Sequence, residues 1–204
     1  MMSVLESEPL VVQNEMDDEQ FFRFCQLNRD LRIERNARGE LILTAPLGGQ
    51  GGHGELRLAR LFDEWAERQG SGLAFGSNTG FKLPNGAIRS PDISWVRNER
   101  LEKLSDEEWR KFLPLCPDFV LELRSQSDSL RVLKEKMGEY MANGAQLGWL
   151  LDPIRKEIHV YTPSKTPETL ENPLTISGEP VLRGSVLDVP QIWASMEKTH
   201  RNPA

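Results

Sequence analysis

Apolar residues recur along the chain with two different spacings. Residues 55–69 repeat them every three or four positions, which predicts an amphipathic helix. Residues 130–142 show the same spacing and are followed by Asn143-Gly144, a pair typical of a helix end. Compact apolar runs predict buried strands, and the charged stretch 99–112 predicts a further helix. The strand predictions cover residues 73–77, 81–83, 87–96, 117–124 and 147–151.

The remaining segments show weaker patterns. An amphipathic stretch from Asp17 predicts a helix, and residues 31–44 predict a hairpin around the turn at 36–39. The glycine-rich stretch 48–54 is typical of a loop. Beyond Pro153 we expect a strand at 157–161, further short strands and a small helix at 191–196.

This order favours a mixed α/β fold in which one central mixed sheet carries helices on its faces. The N-terminal hairpin and the C-terminal strands are additions to that core. Residues 1–16 are acidic and polar without a period, so we expect a mobile tail there, followed by a single domain over residues 17–204.

Composition narrows the function classes. The 204 residues are 38% hydrophobic and 27% charged, contain no apolar run long enough for a membrane span, and begin with no secretory signal, so we expect a cytoplasmic protein. Cys25 and Cys116 fit no metal or redox spacing and are interpreted as reduced thiols. A net charge of −6 argues against a broad nucleic-acid surface, although arginines cluster at residues 29–38 and 57–68.

The strand at 117–124 contains an acidic residue in an apolar setting. Alternation places Glu122 and Arg124 on the face opposite the apolar residues Leu121 and Leu123. A buried carboxylate needs a compensating positive charge, which can be a metal ion, a lysine from a packed helix, or Arg124 in an ion pair at a sheet edge.

Asp92 follows Ser90-Pro91 where an apolar run begins, so its side chain can project from a strand end. On its own it is also explained as a turn or strand-end cap. Together with Glu122 it forms a pair of carboxylates on predicted neighbouring strands, and such a pair repels unless a divalent cation lies between them. Mg²⁺ is commonly held by one or two carboxylates and substrate phosphates.

Three further residues are candidates near this pair. Lys136 interrupts the apolar stripe of the 130–142 helix, so its ammonium either reaches the carboxylates or extends to water at the stripe edge. Glu55 opens the first core helix and can point inward or simply favour the helix dipole. Tyr140 is expected in the core, with its hydroxyl near the site.

The order of several short motifs resembles a large bacterial family, the Uma-type family of putative restriction endonucleases. The motifs are SPDISWV, PDFVLELRS, DSL, KM, EY, GWLLDP and, near the end, LDV and WA, at residues 90–96, 117–125, 128–130, 136–137, 139–140, 148–153, 187–189 and 193–194. The resemblance implies a PD-(D/E)xK nuclease fold, cleavage of DNA with Mg²⁺ or Mn²⁺, and Asp92 and Glu122 as metal ligands.

Two positions depart from that family pattern. Arg124 stands where the superfamily has its catalytic lysine, and a guanidinium is neither a proton shuttle nor a compact charge. Lys136 matches the lysine of the family's helix and can take over that role. Gln126 stands where similar proteins often have proline, which loosens the loop after the strand.

Three hypotheses follow for function. The first is a metal-dependent endonuclease acting on DNA, expected as a two-fold homodimer. The second is a catalytically inactive module of the same fold that binds nucleic acid or a protein partner. The third is a hydrolase of another substrate that uses two carboxylates as general acid and base, as glycosidases do.

Overall fold

The computed structural model describes residues 9–197, and its secondary structure is given for these residues alone. The strands are β1 Leu10–Val12, β2 Arg32–Arg35, β3 Leu41–Thr44, β4 Gly72–Gly76, β5 Phe81–Lys82, β6 Ile88–Arg89, β7 Ile93–Arg97, β8 Phe119–Leu123, β9 Leu147–Asp152, β10 Glu157–Tyr161, β11 Glu168–Glu171, β12 Thr175–Ser177 and β13 Val186–Asp188. The helices are α1 Asp18–Leu27, α2 Gly49–Gln69, α3 Asn98–Leu101, α4 Asp106–Trp109, α5 Leu130–Ala142 and α6 Val189–Met196.

The central sheet has six strands in the order β11-β10-β9-β8-β7-β4. β8 and β9 are parallel, with α5 between them in the chain, and the other pairs are antiparallel, so the sheet is mixed as predicted. α2 packs on one face, where Phe62 stacks with Phe119. α5 packs on the other face, where Met137 and Tyr140 join Val120 in a second cluster. All five residues of β8 are therefore buried between two helices.

A second sheet of five strands, ordered β1-β3-β2-β6-β5, stands beside the first. The prediction of one sheet with a single strand at 87–96 was therefore wrong. That segment forms β6 in one sheet and β7 in the other, and the change occurs at Ser90-Pro91-Asp92. Pro91 has no N–H to donate to a strand ladder, which favours a break at this point. Asp92 thus lies at the junction of the two sheets.

The predicted loop at 48–54 is helical instead, because α2 begins at Gly49. The glycines permit close packing: a Cβ on Gly54 would lie 2.7 Å from Cε of Met196 in α6. Close contact with α6 thus outweighs the low helix propensity of glycine. The longer helix also moves Glu55 from the predicted first turn to the second.

Two further predictions need correction. The stretch 99–112 is not one helix but two single turns, α3 and α4, and the second is capped by Ser105, whose hydroxyl accepts from the N–H of Glu108. Within the predicted tail, β1 pairs with β3, while residues 1–8 lie outside the described residues. β1 has only three residues, too few to show the alternation that predicts a strand, and it is recognised as a strand only through its pairing with β3. Across residues 9–197, no helix is long and apolar enough to cross a membrane.

Candidate active site

The two predicted carboxylates lie side by side in the centre of the six-stranded sheet. Ile93 pairs with Leu121 in the antiparallel ladder of β7 and β8, so the next positions along it, Asp92 and Glu122, are neighbours. Asp92 is 6% exposed and Glu122 is 3% exposed. One Asp92 oxygen, Oδ2, accepts the backbone N–H of Leu123 at 2.7 Å, which fixes its orientation. Glu122 lies in an interior strand, so the interpretation as an ion pair at a sheet edge does not apply.

Helix α5 brings two predicted residues to Glu122. The Nζ atom of Lys136 is 2.8 Å from Oε1 of Glu122, and the Tyr140 hydroxyl donates to the same oxygen at 3.1 Å. The two side chains share a helix face because they are four residues apart. Lys136 therefore points toward the carboxylates rather than toward water.

A third buried carboxylate at the site, Glu34 in β2, is 6% exposed and was not predicted from the sequence. Its Oε1 is 2.8 Å from Lys136 Nζ and accepts the N–H of Ser90 at 2.8 Å. Its Oε2 is 3.1 Å from Arg89, whose Nε is 2.5 Å from Glu139. The result is a continuous chain of charged groups from Glu139 through Arg89, Glu34 and Lys136 to Glu122. The sequence signal for Glu34 was its place among charged residues in the short strand β2. Its burial could not be predicted, because it depends on the packing of the second sheet.

Arg32, two residues before Glu34 and on the same face of β2, was also missed as a site residue. Its Nη2 is 2.7 Å from Oδ1 of Asp92 and donates to the carbonyl of Ser90 at 3.3 Å. Burial opposes its charge, yet Asp92, and to a smaller extent Glu122 and Glu34, raise the pKa of Arg32 above its ordinary value. Arg32 is thus a permanent cation on Asp92.

The two carboxylates that share Lys136 differ in acidity. Burial raises the pKa of Glu122 to about 7, helped by repulsion from Asp92 and Glu34 and opposed by Lys136. Burial acts in the same direction on Glu34, but Lys136, Arg89 and the Ser90 N–H outweigh it and lower the pKa of Glu34 to about 2. The difference follows from the number of positive partners. Glu122 is the less compensated carboxylate, so it holds a proton more readily than Glu34 does.

The remaining predicted residues lie in different surroundings. Arg124 is buried, with Nη1 2.8 Å from Asp152 and Nε donating to the carbonyl of Asp128 at 3.2 Å. Glu55 accepts a hydrogen bond from the hydroxyl of Ser77 and is not among the described residues that line the cavity over the carboxylates. The structure therefore gathers Asp92, Glu122, Lys136 and Tyr140, holds Arg124 beside them, and leaves Glu55 apart.

A cavity of about 920 Å³ opens above these groups, between the two sheets. One wall is formed by β2, β3 and the start of α2, and the other by the loop after β8 and by α5. The lining combines charged and aliphatic side chains and includes Leu10, Arg32, Glu34, Arg38, Ile42, Leu47, Asp92, Glu122, Arg124, Arg131, Glu135 and Lys136.

The donor set suits a hard divalent cation. Among residues 9–197 there is no group of three or more His, Cys, Asp or Glu side chains that could hold a metal ion, so a complete protein cage is not formed. Two adjacent carboxylates remain, and the pKa of one of them, Glu122, is raised by burial and by repulsion from Asp92 and Glu34. Mg²⁺ is commonly bound by one or two carboxylates together with waters and phosphate oxygens, and Mn²⁺ shares this preference for oxygen donors.

Comparison with known proteins agrees with this architecture. A crystal structure of a putative nuclease belonging to DUF820 from Anabaena variabilis ATCC 29413 superposes with a TM-score of 0.70. It is 18% identical, and the match covers 81% of this chain and 91% of that chain, so the shared property is the fold. None of the curated proteins matches the chain significantly. Residues 18–190 match the family model Uma2, described as putative restriction endonuclease, and the chain therefore belongs to the Uma2 family.

Proposed function

We propose that the protein is a divalent-metal-dependent endonuclease that hydrolyses DNA phosphodiester bonds, with Asp92 and Glu122 as the metal ligands. The observation that carries this proposal is a pair of adjacent, buried carboxylates that line an open cavity. The Nζ atom of Lys136 lies 2.8 Å from one of them, Glu122. Family membership and the neighbour's description as a nuclease support the reaction class.

The metal, Mg²⁺ or Mn²⁺, would supply Lewis-acid activation and neutralise charge on the phosphodiester when bound. Burial alone would lower the pKa of Lys136, but Glu122 and Glu34 raise it above its ordinary value. Lys136 is therefore protonated at neutral pH and acts as a fixed positive charge that stabilises the pentavalent phosphorus centre. It cannot serve as a general base in that state.

Other residues hold these groups in place. Glu34 is a second carboxylate that holds the ammonium of Lys136, and Arg89 holds Glu34. The Tyr140 hydroxyl orients the carboxylate of Glu122. Arg124 is bound to Asp152 at the end of β9, so we assign it a structural role in joining β8 to β9 rather than the lysine role. Lys136 is the residue proposed for that role.

The proposal is tested by nicking of supercoiled plasmid DNA with Mg²⁺ or Mn²⁺. Wild type should nick the plasmid, EDTA should abolish nicking, and Asp92→Asn and Glu122→Gln should lose it. Glu135→Gln is the matched control, because Glu135 lines the same cavity on α5 but is exposed and paired with Arg131. Equal nicking by all four proteins would refute the assignment. Metal and DNA binding without any nicking would favour the inactive binding module instead.

A further inference from the structure

The guanidinium of Arg32 lies on Asp92, one of the two carboxylates proposed to bind the metal. Both oxygens of Asp92 have partners: Oδ2 accepts the N–H of Leu123, and Oδ1 is 2.7 Å from the Arg32 guanidinium. The first bond comes from the backbone of β8 and is fixed by the strand. The second comes from a side chain of β2, in the other sheet. Because two cations at one carboxylate oxygen repel each other, a metal ion at Oδ1 would compete with Arg32 for Asp92.

The displaced side chain would remain in the cavity. Arg32 belongs to the wall formed by β2, and its side chain is 26% exposed, while the Asp92 side chain is 8% exposed. Besides Asp92, the guanidinium of Arg32 donates to the carbonyl of Ser90, at the longer distance of 3.3 Å. A guanidinium that is permanently charged, partly exposed and adjacent to the carboxylates can bind two oxygens of a phosphate in a bidentate manner.

We propose that Arg32 is a ligand of the substrate phosphate that, without metal, is held on Asp92 as a substitute cation. This inference rests on the proposed function. With a divalent cation bound at Asp92, Arg32 would be free to leave that carboxylate, and its guanidinium would contact a phosphate of the substrate. Binding of the metal and binding of the substrate would thus be coupled through Arg32. Without metal, Arg32 neutralises Asp92; with metal, it is available to the phosphate.

Two opposite effects of Arg32→Gln distinguish this role from a structural one. The variant removes the competitor at Asp92, so it should bind Mn²⁺ about tenfold more tightly in calorimetry, as expected for loss of a charged hydrogen bond. It should also bind DNA more weakly. With Ca²⁺ as the ion, the dependence of log Kd on log salt concentration should decrease by about one unit, the value for one lost phosphate contact.

Arg38→Gln is the matched control. Arg38 lines the same cavity and carries the same charge, but it pairs with Glu40 and is exposed. It should leave the Mn²⁺ affinity unchanged, which separates competition at Asp92 from a general change in the charge of the cavity. If Arg32→Gln does not fold, Arg32→Met, which keeps the aliphatic part of the side chain, takes its place.

The outcomes separate this inference from the proposed function. Unchanged or weaker Mn²⁺ binding by the Arg32 variants, with normal binding by wild type, overturns the role of Arg32 and leaves the nuclease proposal intact. An unchanged salt dependence of DNA binding overturns the phosphate contact. Absence of Mn²⁺ binding by wild type and variants alike overturns the proposed metal site itself, and the inference with it.

Discussion

Replacing Lys136 by Met removes the ammonium between two buried carboxylates. Its Nζ lies 2.8 Å from both Glu34 and Glu122, and its side chain is largely buried. After the change Glu34 keeps Arg89 and the Ser90 N–H, and Glu122 keeps the Tyr140 hydroxyl. Removing one partner of a buried ion pair costs about 3–5 kcal/mol because a charge is left uncompensated.

The loss should depend on pH, with a sign set by Glu122. Its pKa in the folded protein, about 7, already lies above the ordinary value of 4.5, and removal of Lys136 raises it further. A group with a raised pKa in the folded state contributes stability below its unfolded pKa and loses it as the pH rises through the folded pKa. The destabilisation by Lys136→Met should therefore be about 3–5 kcal/mol at pH 8.5 and at least about 1 kcal/mol smaller at pH 5.5.

Urea unfolding at both pH values, with EDTA present, measures this effect through the midpoint at constant slope. Lys134→Met is the matched control, since Lys134 is an exposed lysine on the same helix, and it should change stability by less than about 0.5 kcal/mol. A loss below about 1 kcal/mol at pH 8.5, or an equal loss at both pH values, would show that Lys136 does not compensate these carboxylates.

Three further predictions concern the same framework. Glu122→Gln should stabilise the metal-free protein by up to about 3 kcal/mol at pH 8.5, because it removes the carboxylate charge that burial disfavours. At pH 5 the gain should be much smaller, and destabilisation at pH 8.5 in urea unfolding would contradict this. Gly54→Ala should destabilise by about 1–3 kcal/mol through its contact with Met196, whereas Gly52→Ala, which meets open space, should not destabilise; thermal unfolding compares them. Asp152→Asn should cost about 3 kcal/mol in urea unfolding because it neutralises the buried carboxylate that Arg124 contacts at 2.8 Å, and a neutral effect would refute the structural role of that pair.

Local sequence patterns were sufficient for the elements that carry the site. The strand around Glu122 and the helix at 130–142 are confirmed, because apolar alternation and a three-to-four spacing report directly on which side chains face the core. Asp92, Glu122, Lys136 and Tyr140 were named on that basis together with the family resemblance. The structure brings them together, while their roles in metal binding and catalysis stay predictions.

Only the tertiary structure decided what surrounds those residues. Glu34, Arg32 and Arg89 belong to a second sheet, and a sequence pattern contains no information on where one sheet lies relative to another. For the same reason the strand predicted at 87–96 divides at Pro91, and the glycines before Glu55 form a helix because α6 packs against them. Periodicity determines which face of an element is buried, whereas the partners that compensate a buried charge are set by long-range packing.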